Sequence, residues 1–173
     1  ARFSEEVEYV GPMIVADARR LLEVLGEVAK LEEAIEGLVA SSPLAQRIDS
    51  IPGFGAISSG ELAGEIGTME RFGSERSLAL YLGMCPLDHQ SGESKGSKRP
   101  RQVNRRAKGA MMTAVARHMA KVPQSRAYYE KKRAEGKKHN QAVRALGRHL
   151  VRVMWAMFRE DRDYELRKDP SRG

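Results

Sequence analysis

The chain has 173 residues, 41% hydrophobic and 31% charged, enough for one domain with an appended helix. No stretch approaches eighteen uninterrupted apolar residues, which excludes a membrane-spanning helix, and a single cysteine, Cys85, excludes an internal disulfide framework or a thiolate-rich zinc site. The net charge of +7 is unevenly spread: residues 1–45 hold 4 Lys/Arg and 9 Asp/Glu, residues 46–88 hold 3 and 6, and residues 89–173 hold 23 and 8. The last half is thus +15, and a polyanion such as DNA or RNA is its natural partner. The opening Ala-Arg-Phe-Ser-Glu-Glu has neither an initiator Met nor a signal-peptide core, as expected of a piece of a longer protein in a reducing, cytoplasmic setting.

The elements predicted from spacing are all helical. Ile14, Leu21, Val28 and Ile35 stand seven apart, and Val24, Leu31 and Leu38 form a second series three residues behind, with Asp17 as its polar exception. This is an a/d seam of about three and a half heptads, and β-branched a sites with Leu at d lean toward a two-stranded parallel dimer. Leu22, Leu25, Ala29 and Ala34 widen the stripe, which also suits a helix packed on its own domain. Gly37 and Ser41-Ser42-Pro43 end this helix, giving a dimerisation segment over 1–42.

A helical domain is expected over 43–164. A short helix at about 44–50 meets Ile51-Pro52-Gly53-Phe54-Gly55, and a second helix runs from 56 to about 66. This reads as a helix-hairpin-helix unit over about 44–67, whose Gly53 and Gly55 permit a tight turn and let backbone N–H groups approach a phosphate. Asp49, Glu61 and Glu65 oppose that use, so a scaffold role stands beside it. A helix at 74–82 leads into a loop over about 84–103 with no sustained apolar period and no convincing strand. From Lys95 to Lys108, seven of fourteen residues are Lys or Arg: Lys95, Lys98, Arg99, Arg101, Arg105, Arg106 and Lys108. Three helices close the chain at about 104–121, 124–135 and 140–159; the residues after Asp161 read as charged and frayed, with 165–173 set apart as the tail.

Within the loop, Ser91 stands beside Gly92 and directly upstream of the cationic run. A hydroxyl that attacks a phosphodiester needs the phosphate held by cations and a route for its proton. Lys95, Lys98, Arg99 and Arg101 suit the first need and His89 or Asp88 the second, although Ser-Gly in a loop is commonly only a turn. His118, His139 and His149 lack metal-ligand spacing and the basic half lacks an acidic cluster, so no metal or other cofactor is expected in this chain.

Seven blocks in order resemble the insertion-sequence 110/116/902 transposases. They are Ile51–Gly55, the stretch from Glu65-Ile66-Gly67 to Arg71-Phe72, Tyr81–Pro86, Gln90–Ser94, Asn104-Arg105-Arg106, Ala127–Glu130 and the final amphipathic helix. The resemblance covers roughly residues 48–164 and matches the C-terminal transposase domain of that family. It implies an all-α recombinase domain preceded by a coiled coil, with a loop serine that attacks DNA and forms a covalent phosphoserine. By motif position that serine is Ser91, with Ser94 as the fallback. It further implies a structured guide RNA, assembly of several protomers in the bacterial cytoplasm and nucleoid, and a separate RuvC-like domain whose acidic residues bind Mg²⁺. The family's basic loop usually continues with an isoleucine and a Lys-x-Gly-Asn turn, whereas Pro100 and Val103 stand in that stretch here. Two rival readings remain: a non-catalytic dimeric helix-hairpin-helix DNA-binding module, and a protein-interaction adaptor built on the coiled coil and Met-rich helices.

Overall fold

A computed structural model describes residues 4–85, 88–91, 94–97 and 102–166. Among these residues the protein is all-α apart from one small hairpin. The helices are α1 (Ser4–Ser41), α2 (Pro43–Asp49), α3 (Gly55–Ile66), α4 (Glu75–Tyr81), α5 (Arg105–Lys121), α6 (Pro123–Ala134) and α7 (His139–Arg159). A single 3₁₀ turn, Met69–Arg71, links α3 to α4. No helix among the described residues is long and apolar enough to cross a membrane.

Local sequence sets the breaks. Pro43 forces Ser42 into extended geometry (φ −111°, ψ 110°), so α1 stops there, and the Ser42 side chain caps α2 by accepting from the Ala45 N–H. Gly67, at φ 68°, terminates α3. Ser74 and Ser77 form a reciprocal capping box at the start of α4. Pro123 opens α6 directly after α5 by the same preproline mechanism that separates α1 from α2.

The core lies where α2, α3, α5 and α7 meet. Ile48 of α2, Phe54 of the turn, Leu62 and Ile66 of α3, Met111 and Val115 of α5, and Met154 and Met157 of α7 are all inaccessible to solvent. On α7 the buried positions Val143, Leu146, Leu150, Met154 and Met157 recur every three or four residues, the stripe of an amphipathic helix. Met112, Met119, Val153 and Phe158 are half-buried and pack at its margin. Arg148 of α7 and Glu75 of α4 make a two-point ion pair, one contact at 2.8 Å, that ties α4 to the bundle.

Among the described side chains, α1 meets the domain through its last turns. Ile35 is half-buried and Val39 buried, and both pack over Gly60 of α3, where an added Cβ would sit 3.3 Å from each. Ile35 therefore serves the domain's own core, in contrast to its place in the expected seam. Pro12 lies inside α1 and withholds one N–H from its hydrogen-bond ladder.

Two further expectations need correction. The loop after α4 contains an antiparallel hairpin, β1 (Asp88–Ser91) with β2 (Ser94–Ser97), where spacing showed no strand. The residues after Asp161 do not all fray: the Tyr164 N–H donates to Ser50 Oγ at 2.9 Å, and its ring is half-buried against His118. Residues 167–173 of the expected tail lie outside the described residues.

Candidate nucleic-acid interface and serine loop

The loop that carries the candidate serine is anchored at both ends. At its entrance the chain passes through Gly83 (φ 67°), whose missing side chain admits the aliphatic stem of Lys108 and Val103. Met84 follows, fully buried, with its sulfur packed over Gly147 of α7. Lys108, expected to reach phosphate, is thus half-buried, with its stem against Gly83. Cys85, next in the chain, is half-buried. Burial pushes its thiol up, partly offset by Arg76, so it stays protonated and a poor nucleophile.

At the exit, Asn104 closes the loop by several bonds at once. Its side-chain oxygen caps α5, accepting from the N–H groups of Arg106 and Ala107 at 2.9 and 3.1 Å. Its amide nitrogen donates to Glu65 Oε2 at 2.6 Å and to the Tyr81 hydroxyl at 2.7 Å. Its own N–H donates to the Tyr81 carbonyl at 2.9 Å. The Tyr81 hydroxyl in turn donates to the Glu65 carbonyl at 2.8 Å, and Arg106 pairs with Glu65 Oε1 at 3.2 Å. Arg71 completes the clamp: it donates to the carbonyls of Glu65 and Ile66 and stacks over the rings of Phe72 and Tyr81. Three segments far apart in sequence are thereby joined beneath the loop.

Between these anchors the hairpin pairs Asp88 with Ser97, His89 with Gly96, Gln90 with Lys95 and Ser91 with Ser94. The two candidate serines are register partners at the end of the ladder, flanking residues 92 and 93. Of the expected cationic residues, Lys95 lies on β2, while Lys98, Arg99 and Arg101 lie outside the described residues, as does Gly92. Arg105 and Arg106 are exposed on the first turn of α5.

The Gly53 and Gly55 turn has a structural reason of its own. Gly53 adopts φ 92°, and a Cβ there would come 2.5 Å from the His118 nitrogen and 2.7 Å from the Arg117 carbonyl carbon. The turn therefore lies directly on the backbone of α5. The fully buried His118 fastens it: Nδ1 donates to the Pro52 carbonyl at 2.7 Å, which leaves Nε2 to accept from the Ser125 hydroxyl at 2.9 Å. Burial lowers the pKa of this imidazole, with the Pro52 bond acting in the opposite sense. Gly55 adopts φ 64° but is exposed, with nothing within 4 Å of where a Cβ would stand.

Along α1, Ile14, Leu21, Val24, Val28, Leu31 and Leu38 are all exposed. Among the described residues no three His, Cys, Asp or Glu side chains gather to hold a metal ion. The Mg²⁺ implied by resemblance has no matching ligand set among them.

The sequence of this helical domain has counterparts among insertion-element proteins. Residues 45–130 match the profile of the Transposase IS116/IS110/IS902 family. The 42 kDa protein of insertion element IS900 from Mycobacterium paratuberculosis is 38% identical over 149 residues, 85% of this chain and 37% of that protein. The 43.6 kDa protein of insertion element IS110 from Streptomyces coelicolor is 37% identical over 138 residues, 79% of this chain and 34% of that protein. A pilin gene-inverting protein of Moraxella bovis is 28% identical over 147 residues, 81% of this chain and 46% of that protein. The chain belongs to the IS116/IS110/IS902 transposase family. It spans between a third and a half of the length of these relatives.

Proposed function

We propose that this chain is the DNA-binding, serine-presenting part of a transposase. The observation that supports it most is the Ser91–Ser94 register pair in a hairpin within a loop whose entrance is held by buried Met84 and whose exit is held by Asn104 on Tyr81 and Glu65. A nucleophile in a strand-transfer reaction must be held in line with the scissile bond, and a loop fixed at both ends serves that need. In the reaction, Ser91 Oγ forms a bond to phosphorus as the phosphorus–oxygen bond of the DNA strand breaks. The serine proton leaves to a base and the departing deoxyribose oxygen takes up a proton. The phosphoserine so formed conserves the phosphodiester for exchange with a second strand. Ser94, directly across the ladder, is the fallback nucleophile.

Phosphate contacts are assigned to Lys95, Lys98, Arg99, Arg101, Arg105, Arg106 and the head of Lys108, with the exposed Gly55 turn beside them. Such contacts set position and carry no base information. Sequence choice belongs to a guide RNA, and a RuvC-like acidic domain elsewhere in the protein holds Mg²⁺. The exposed α1 stripe makes the protein a dimer. In the full-length protein, Ser91→Ala abolishes recombination and the covalent protein–DNA adduct while duplex binding persists. Undiminished recombination by Ser91→Ala refutes the assignment. If Ser94→Ala alone is inactive, the role passes to Ser94.

A further inference from the structure

The exposed face of α5 carries a row that starts at Arg106 and continues along the helix away from the loop. Arg106, Gly109, Thr113, Arg117 and Ala120 follow one another at spacings of three, four, four and three, and all five are exposed. Eleven residues at 100° each bring Arg117 back to within about 20° of Arg106, some 16 Å further along the axis. Two depressions flank this row and share Thr113 and Arg117 as lining. One, of about 310 Å³, lies toward Glu61 of α3; the other, of about 500 Å³, lies toward His139 at the start of α7. Nothing stands within 4 Å of a Cβ built on Gly109, so packing does not account for a glycine in the middle of this helix, where it costs about 1 kcal/mol relative to alanine.

We infer that this face of α5 seats the sugar–phosphate backbone of double-stranded DNA, with Arg106 and Arg117 as the two cationic ends of the seat. The inference rests on the DNA-binding reading above and adds to it a surface outside the serine loop. The small residues between the arginines let a backbone approach the helix closely, and the Thr113 hydroxyl can donate to a phosphate oxygen. A span of about 16 Å covers roughly five base steps at 3.4 Å each. Arg106 shares its charge with Glu65, yet its side chain is 78% exposed and the pair is open to competition by phosphate. Arg105 adds a third cation at the same end, where the carboxylates are Glu61 and the Glu65 already paired with Arg106.

The test is duplex binding by the 173-residue chain across a salt series, compared for wild type, Arg117→Gln, Gly109→Leu and Arg20→Gln on distant α1. Removing one cation from the phosphate backbone lowers the magnitude of the log–log salt slope by about 0.9. The expected result is a drop of that size for Arg117→Gln, weaker binding for the uncharged change Gly109→Leu at equal or higher thermal stability, and wild-type binding for Arg20→Gln. A wild-type chain that binds DNA while Arg117→Gln and Gly109→Leu match it overturns the inference and leaves the DNA-binding reading intact. Equal weakening by Arg20→Gln overturns it too, since net charge then suffices. Competition favouring an RNA duplex of equal length overturns the choice of DNA. No salt-dependent binding by the wild type refutes the DNA-binding reading itself, and the inference with it.

Discussion

Gly53→Ala isolates what holds the turn on α5. At φ 92° an alanine carries a left-handed backbone penalty of about 1–2 kcal/mol. Its Cβ also meets the backbone of His118 and Arg117 at 2.5–2.7 Å, atoms in the body of a helix that cannot swing aside as a side chain can. Overpacking of that kind costs about 1–3 kcal/mol, so the whole change is about 2–5 kcal/mol. Gly55→Ala supplies the internal control: its φ of 64° incurs the same backbone penalty, but the space around it is open. The two variants should therefore differ by about 1–3 kcal/mol in urea unfolding followed by far-UV circular dichroism. In thermal melts each kcal/mol corresponds to about 2–4 °C for a chain of this size. Equal losses for the two variants would mean that the turn lifts off α5 without strain, and the argument for a tight Gly53–His118 contact would fail.

Other outcomes follow from the same contacts. His118 is held neutral by burial, so its folded-state pKa lies below the 6.5 of an exposed imidazole and the unfolded chain takes up the proton first. Stability is then complete above about pH 7 and declines as pH falls below 6.5. His149, lowered by burial and by Arg152, Lys132 and Arg148, adds to the same slope, and His118→Phe should flatten it in urea titrations across that range. Asn104→Ala removes a helix cap and two side-chain donations, a loss of about 2–4 kcal/mol. Asn104→Asp keeps the cap but sets a second carboxylate against Glu65, so its deficit should shrink in unfolding curves taken at acid pH. Replacing Leu21, Val24, Val28 and Leu31 with serine should turn a sedimenting dimer into a monomer with an unchanged melting midpoint for the domain. A monomeric wild type would refute dimerisation through α1.

Much of this architecture was legible because its signals are local. Pro43, Pro123, Ser74 and Asn104 act within four residues of where they stand, and each marks a helix start to within about a residue. The α7 stripe is equally direct, since Val143 through Met157 repeat at helical period. The hairpin was invisible for a matching reason. Its eight strand residues include three serines, a glycine and four polar or charged side chains, with no β-branched or aromatic residue to mark a pleated face. The clamp beneath it joins Glu65, Tyr81 and Asn104 across up to 39 positions, and no spacing rule reaches that far. His118 and Tyr164 show the same limit: one reads only as a histidine without metal-ligand spacing and the other as tail, until Pro52, Ser125 and Ser50 are seen beside them. Heptad spacing assigns Ile35 to a partner helix because periodicity describes a face and not its neighbour.

The arm formed by α1 extends about 57 Å if its 38 residues are straight, yet among its described side chains it is fastened at the Ile35–Val39 end over Gly60. Such a lever transmits phase as well as reach. Inserting one residue between Met13 and Glu33 turns everything ahead of it by about 100° and moves it by about 1.5 Å, whereas seven residues restore the bearing to within about 20°. Whatever surface the far end presents is therefore indexed to the serine hairpin like a key to its wards. Length changes in this arm should be tolerated in steps of seven or eleven and rejected in steps of two or five.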